Sequence, residues 1–345
     1  MILTLNAGSS SIKYSLFDKE KKVLVGEIEK VKDYKKALNK IYKKLKKCKI
    51  KKIAHRVVHG KDNSKTKLLT SKFIQRLKKY NELAPLHNPI EIKVIEESIK
   101  LFPKAKHFAV FDTAFHTTMP KIAKLYGLPL RYYKKGIKRY GFHGTSHKYI
   151  SQIVKKPKVI SCHLGNGCSI TAIKNGKSID TSMGFTPLEG LLMGTRSGDI
   201  DPSIISYLMS KEKKTIKEIE HILNYQSGLL GISEESNDVR DLLKSKKGSS
   251  KLALELFTYR ITKYIGSYIS ILNGVDVIVF TAGIGEKAYS LREKILNNFK
   301  FLGLKLDKTK NKNNKKIITK PNSKIKVMVI PTYEEKIMAR EVTNL

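Results

Sequence analysis

Residues 5–16 read LNAGSSSIKYSL and residues 163–173 read HLGNGCSITAI. Each runs from an apolar strand through a turn of small residues into a second strand, the pattern of a β-hairpin. Set against each other with a one-residue offset, they are two copies of one pattern. Around the first copy, strands fit residues 2–5, 12–17 and 22–28, joined by turns at 6–11 and 18–21. Around the second, strands fit 158–163 and 169–173, and a third runs to about residue 181 after Asn175-Gly176, a hairpin turn pair. A repeated three-strand unit predicts two related domains facing one another; the alternative is two unrelated hairpins.

The rest of the chain fills in an α/β pattern. Helical periodicity occupies about 34–47 and 89–101, and strands fit 52–58 and 107–111. Thr145 or Ser146 is placed to cap a helix reaching about Val154. Helices dominate from 202 to 273, followed by an apolar strand over 275–280 and a helix to about 298. The lysine-rich stretch 308–320 reads as a solvated loop, 326–330 as a strand, and 334–342 as a closing helix.

Composition narrows the class. The chain has 345 residues, enough for two domains with real cores, and its 41% hydrophobic content fits a soluble globular protein. No apolar run has the length of a membrane helix, and the first residues carry no signal-peptide pattern. The three cysteines, Cys48, Cys162 and Cys168, show no paired spacing, which favours a reducing cytoplasm.

The net charge of +38 invites a nucleic-acid reading. Against it, only 9 of the 68 basic residues are arginine, and the lysines are scattered through helices. Stacked arginine–aromatic patches and zinc-finger spacings are absent from the sequence. A solvated positive coat explains the charge, and no specific nucleic-acid partner is expected.

The same bias makes two absences informative. Residues 178–210, SIDTSMGFTPLEGLLMGTRSGDIDPSIISYLMS, hold no lysine, although they include four Gly, three Asp and one Arg. A polar segment that excludes the chain's commonest polar residue is shaped by a site or by burial. Lysine replaces arginine on a solvated surface, but not where a planar fork grips an anion at two points. Arg56, Arg196 and Arg240 stand beside Gly, His or Asp, and are the arginines singled out for function.

Three glycine-rich turns follow apolar strands: residues 6–11, 165–167 and 283–285. Glycine lets backbone N–H groups approach an anion, and the third turn opens a helix whose N-terminus favours phosphate. Together they favour a nucleotide cleft of neither Walker nor Rossmann type. The HxxxH pairs at 55/59 and 143/147 imitate metal spacing, but neither has a glutamate after its first histidine, and zinc is not expected.

Ten ordered segments carry a resemblance to the acetate kinase family: LNAGSSSIKYSLF, HRVVHG, LAPLHNP, FDTAFHTTMP, RYGFHGTSH, HLGNGCS, DTSMGFTPLEGLLMGTRSGDIDP, NDVR, AGIGE and PTYEEKIMARE. They span nearly the whole chain. The resemblance implies the superfamily of sugar kinases, Hsp70 and actin: two α/β domains of duplicated ribonuclease H-like fold, with a nucleotide cleft between them. It implies a first domain of 1–117 plus 336–345, and a nucleotide-binding and dimerisation domain of 118–335. The implied reaction is reversible phosphoryl transfer from ATP to acetate, giving acetyl phosphate and ADP, with magnesium or alternatively manganese.

By matching position, Asn6 and Glu334 hold the metal. Arg56 and Arg196 hold the carboxylate and the transferring group, His143 stabilises that group's equatorial oxygens, and Asp112 is the catalytic acidic residue. Val58, Leu86, Phe142 and Pro187 match the methyl pocket. Lys13, His163, Leu164, Gly165, Asn166, Gly167, Asp238, Val239, Arg240, Gly283, Ile284, Gly285, Glu286 and Lys287 match the nucleotide contacts. A cytoplasmic homodimer is implied. His87 and His116 are either structural or ligand contacts, Asp199 and Asp201 read as a turn and a helix cap, and Glu189 as structural.

The chain departs from the family at Lys61, where glycine is usual, and at Tyr333 and Lys287, where asparagine is usual. It is also shorter than typical between residues 28 and 52 and before residue 158. Nucleotide preference stays open, as does preference among acetate, propionate and butyrate. An Hsp70-type module would need a peptide-binding domain, and no residues are left to build one.

Overall fold

The computed structural model describes residues 1–8, 11–84, 87–343 and 345. These form two compact units: Met1–Thr117 with Phe142–Tyr149 and Tyr333–Leu345, and Thr118–Gly141 with Ile150–Thr332.

In the first unit, β1 (Ile2–Ala7), β2 (Ile12–Asp18) and β3 (Lys21–Ile28) form an antiparallel meander. On the other side of β1, β4 (Lys52–Val57) and β6 (Lys106–Phe111) pair in parallel, and the two-residue β5 (Lys67–Leu68) closes the edge. The spatial order is β3-β2-β1-β4-β6-β5. Side chains alternate across the sheet, so each face needs its own cover. Leu3, Leu5, Ile12, Tyr14 and Ile53 pack against Leu38, Ile41 and Leu45 of the Tyr34–Leu45 helix. Ile2, Phe17, Ala54, Phe108 and Val110 on the opposite face pack with Met338, Ala339 and Val342 of the last helix, Glu334–Thr343.

The second unit repeats the plan. β7 (Lys158–Leu164), β8 (Cys168–Lys174) and β9 (Lys177–Thr181) are antiparallel, while β10 (Val277–Thr281) and β11 (Lys326–Val329) run parallel to β7. Read from β9, the order is β9-β8-β7-β10-β11, matching β3-β2-β1-β4-β6 strand for strand. At the β8–β9 turn Asn175 and Gly176 both take positive φ, 49° and 77°, as a two-residue hairpin of the predicted kind requires. The Gly248–Leu272 helix buries Phe257, Ile261 and Ile265.

Three readings of the sequence need correction. Residues 308–320 are not a solvated loop: Lys308–Lys312 is helical, Asn311 and Ile318 are fully buried, and Leu306↔Thr319 and Ile317↔Met328 are bridged. Residues 283–285 do not precede a helix but lie inside one, Ala282–Lys287, which is followed by a separate helix, Tyr289–Asn297. The helix expected to be capped by Thr145 or Ser146 spans Gly144–Ile153 and so begins earlier.

Candidate active site

Parallel strands bring their carboxyl ends together, and polar groups gather there in open α/β sheets. Asn6 sits near the end of β1, Arg56 near the end of β4, and Asp112 just past β6. The Arg56 guanidinium grips Asp112 as a fork: Nε donates to Oδ1 at 3.1 Å and to Oδ2 at 3.0 Å, and Nη2 to Oδ2 at 2.5 Å. Nη1 donates to Asn6 Oδ1 at 3.2 Å. Asp112 is fully buried, whereas the Arg56 side chain keeps 16% of its surface exposed. Burial disfavours the arginine's charge, but Asp112 and Glu334 outweigh it and hold the guanidinium firmly charged.

The chain returns to this cluster at residues 142–149. Gly144 N–H donates to the Asp112 carbonyl at 3.0 Å, and a Cβ at Gly144 would stand 2.0 Å from that oxygen, so no other residue fits. Thr145 Oγ1 donates to Asp112 Oδ1 at 3.4 Å instead of capping its helix. His143 takes φ 54°, the left-handed region, a strained conformation for a non-glycine residue and of the kind that collects at functional sites. Phe142 and Val58 are buried, and His116 Nε2 pairs with the Phe142 carbonyl at 2.9 Å, a structural role. Glu334 opens the last helix. Burial raises its carboxyl to about 7; Arg56 opposes the shift and Asp112 adds to it. Leu86 lies outside the described residues. The histidines of the two HxxxH pairs belong to no three-residue metal cluster among the described residues. Lys13 faces Asn6 across the β1–β2 ladder, and its ammonium lies 3.7 Å from Glu27.

In the second unit the lysine-free island is a hydrogen-bonded scaffold. Asp199 accepts from Gly190 N–H at 2.8 Å and from Tyr264 Oη at 2.6 Å, so it ties two segments rather than making a turn. Asp201 caps as expected, accepting from Ser203 N–H at 2.8 Å. Glu189 is structural, receiving Tyr126 Oη and, at 2.5 Å, Arg139 Nη2. The other terminal nitrogen of Arg139 donates to the Thr181, Ser182 and Met183 carbonyls at 3.0–3.3 Å. This scaffold carries Pro187 and Arg196, and Arg196 Nη1 donates to the Pro187 carbonyl at 3.4 Å.

A cavity of about 500 Å³ opens in the same unit. Gly165 and Asn166 line it from the β7–β8 turn, Asp238, Val239 and Arg240 from a short helix start, and Gly283, Ile284 and Lys287 from the helix after β10. Asn237, Leu243 and Ala288 complete the wall; Asn237 opens the NDVR segment, and the other two were not singled out in the sequence. Arg240 folds back on Asp238, with Nε 3.0 Å from both carboxylate oxygens. His163, Leu164, Gly167, Gly285 and Glu286 are not among the lining residues. Two of them brace the wall: Gly285 C=O accepts from Arg292 Nη1 at 2.7 Å, and Glu286 Oε1 accepts from Thr332 N–H at 3.3 Å.

Arg292 and Arg139 are the residues that sequence reasoning missed. Arg292 is 1% exposed and, among the described residues, bonds only neutral oxygens: Gly285 C=O, the Asn311 side chain and carbonyl, and Asn314 Oδ1. Burial lowers its pKa to about 10. The available signal was the scarcity of arginine itself, but both residues have lysine close by in sequence and resemble ordinary surface cations.

A strand order repeated in two ribonuclease H-like units, one bearing an arginine–carboxylate cluster and the other a glycine-lined cavity, defines a two-unit α/β protein of the actin-like fold. A putative N-acetylmannosamine kinase from Listeria monocytogenes shares this fold at 11% identity and TM-score 0.51, covering 99% of this chain and 97% of that chain. The acetokinase family model matches residues 1–340, and the chain belongs to that family. It is 48% identical to the acetate kinase of Thermoanaerobacterium thermosaccharolyticum, with 100% of this chain and 98% of the relative covered. It is 44% identical to that of Halothermothrix orenii, at 100% and 99% coverage. Among solved structures, a propionate kinase from Francisella tularensis superposes with TM-score 0.94 at 41% identity, covering 100% of this chain and 99% of that chain. Porphyromonas gingivalis acetate kinase superposes with TM-score 0.90 at 38% identity, covering 99% and 98%. The alignment to the Halothermothrix enzyme runs over 393 residues, so the shorter chain lacks internal segments while matching both ends.

Proposed function

We propose that the chain catalyses reversible, magnesium-dependent transfer of the γ-phosphoryl group of ATP to acetate, giving acetyl phosphate and ADP in one in-line step. The observation that carries this reading is the charged Arg56 fork, oriented by Asp112 and Asn6 at the strand ends of a chain whose full-length relatives are acetate kinases.

Acetate is ionised at neutral pH, because its pKa lies near that of a carboxyl side chain, about 4. It needs no general base. A carboxylate oxygen attacks the γ-phosphorus, and the β–γ bridging oxygen leaves with its bonding pair on ADP. Asp112 therefore orients Arg56 rather than abstracting a proton. The barrier lies in bringing an anion to an anion, which Arg56, Arg196 and His143 offset by stabilising charge on the acid and the transferring group. Val58, Phe142, Leu86 and Pro187 take the methyl group. The 500 Å³ cavity takes the nucleotide, with Asn166, Asp238, Gly283 and Lys287 in its wall.

The residues present fit magnesium. Asn6 and Glu334 offer amide and carboxylate oxygens, hard donors of the kind magnesium prefers, and the Glu334 carboxyl, raised by burial, is one whose charged form a divalent cation would stabilise. Magnesium commonly keeps several waters and uses only one or two carboxylates with substrate phosphates, so a large protein cage is not required. The ion supplies charge neutralisation on the phosphate oxygens; manganese suits the same donors.

A homodimer through the second unit is supported by exposed apolar side chains at Ile204, Tyr207, Leu252 and Tyr259. Free thiols at Cys48, Cys162 and Cys168 support a cytoplasmic setting, and among the described residues no helix is long and apolar enough to cross a membrane.

The test is acid-dependent ADP release with ATP and Mg²⁺, trapping the product as hydroxamate and comparing acetate, propionate and butyrate. The highest kcat/KM with acetate supports the proposal. Propionate ahead of acetate supports the second reading, which the Francisella superposition favours. One methylene in an apolar pocket is worth only about 1–3 kcal/mol, so the two can lie close. No acyl phosphate with any acid sinks both.

A further inference from the structure

The acid side of the first unit holds an ionisable group that the mechanism leaves idle. Glu91 lies in the first turn of the Asn88–Leu101 helix and is 1% exposed. Its Oε2 accepts the Val58 N–H at 2.9 Å. Its Oε1 is equally buried and has no hydrogen-bond partner among the described residues. One turn earlier, Asn88 accepts His59 N–H at 3.1 Å and donates to His59 C=O at 3.2 Å. One helix turn thus clamps the exit of β4, the stretch that carries Val58 and, two residues before it, Arg56.

The charged groups acting on Glu91 are Arg56 from β4 and Asp112 from beyond β6. Burial pushes the carboxyl up to about 8, against the attraction of Arg56 and with the repulsion of Asp112. Near neutral pH it is largely uncharged, which is consistent with an oxygen left unpaired in the interior.

We propose that Glu91 is a positioning residue that sets affinity for the acid substrate through Arg56 and the Val58 backbone. Uncharged, Glu91 holds the β4 exit in place and leaves the Arg56 charge to the incoming carboxylate. Ionised, it adds a second buried anion beside Asp112 and competes with the substrate for the same guanidinium. This rests on the reading of the site as an acid site, so the test separates the two.

The test measures kcat and KM for acetate from about pH 6.5 to about 9.5 at saturating ATP and Mg²⁺, in the wild type and in Glu91→Gln. In the wild type, KM for acetate should rise about tenfold or more across the alkaline half of this range, with a smaller change in kcat, because only the uncharged form binds the acid well. Glutamine still accepts the Val58 N–H but cannot ionise, so its KM should stay within about twofold over the same range. A flat wild-type profile overturns the proposal without any variant. A rise that persists in Glu91→Gln also overturns it, by assigning the titration to another group. If Glu91→Gln does not fold, Glu91→Asn takes its place under the same criteria. Absence of acyl phosphate from the wild type at every pH overturns instead the acid-site reading beneath it.

Discussion

Single residues decide both the chemistry and the local backbone here. Arg196 stands on a scaffold tied by the half-buried Glu189 and Asp199, and its Nη1 donates to the Pro187 carbonyl, so replacing it removes a positioned charge. Arg196→Ala should lower kcat by about a hundredfold or more, the scale on which a lost transition-state charge partner is felt. A loss below about tenfold with an intact fold would remove Arg196 from the mechanism. Lys61 shows what a departure from the family pattern means physically. It takes φ 50°, the left-handed region where glycine is at ease, and its ammonium stacks 4.8 Å from the Tyr80 ring centroid. Lys61→Gly relieves about 1 kcal/mol of backbone strain, but gives back a similar amount in chain entropy and the cation–π contact. Its urea midpoint should therefore match the wild type closely, and a large loss would show that Lys61 does more than fill a turn.

At the scale of elements, the alternation in β4 and β6 buries two histidines against each other. His55 Nε2 and His107 Nδ1 are 3.0 Å apart, and His107 Nε2 pairs with Phe102 C=O at 3.1 Å. Burial lowers both pKa values, that of His55 far below the ordinary range. A histidine depressed in the folded state contributes stability above its unfolded pKa of about 6.5, and that contribution drains away as pH falls toward the folded value. Glu334, raised in the folded state, acts in the opposite sense, so a comparison isolates the pair. The stability advantage of the wild type over His55→Asn should shrink between about pH 7.5 and about 5.5 in urea titrations. An advantage that does not change with pH would mean that the pair is not titrating.

Elements also show where the sequence was legible. The hairpins at 5–16 and 163–173 were readable because strand alternation and turn glycines coincide, and the Asn175-Gly176 turn was readable from its residues alone. Residues 308–320 were not: their lysines face outward and mask the buried positions Asn311, Ile318 and Thr319. Turn chemistry equally hid the short helix at Ala282–Lys287, because glycines at 283 and 285 argue locally for a turn and only packing onto β7 and β10 makes a helix.

Across the whole molecule, the repeated hairpin was enough to predict a repeated three-strand unit, which the structure extends to a five-strand order, whereas the return of residues 142–149 to the first unit had no sequence signal of its own. That return depends on a glycine at 144 close to a backbone oxygen more than thirty residues away in the chain, a contact that no local pattern announces. The surface carries a different lesson. With a net charge of +38, repulsion among lysines outweighs the exposed ion pairs, which are each worth little. Raising NaCl from about 20 mM to about 300 mM should therefore raise the thermal midpoint by a few degrees, as screening shortens the reach of that repulsion. A midpoint that falls with salt would mean that attractive pairs dominate.

The last helix has a consequence for how the protein is made. Ile2, Phe17, Ala54, Phe108 and Val110 are covered by Met338, Ala339 and Val342, and Lys52 Nζ donates to Val342 C=O at 2.9 Å. A ribosome adding about 5–20 residues per second needs on the order of tens of seconds to pass from Val110 to Val342. For that interval the nascent chain carries an apolar sheet face whose cover has not yet been translated. Shielding of that face until the last helix emerges is therefore a requirement of its synthesis.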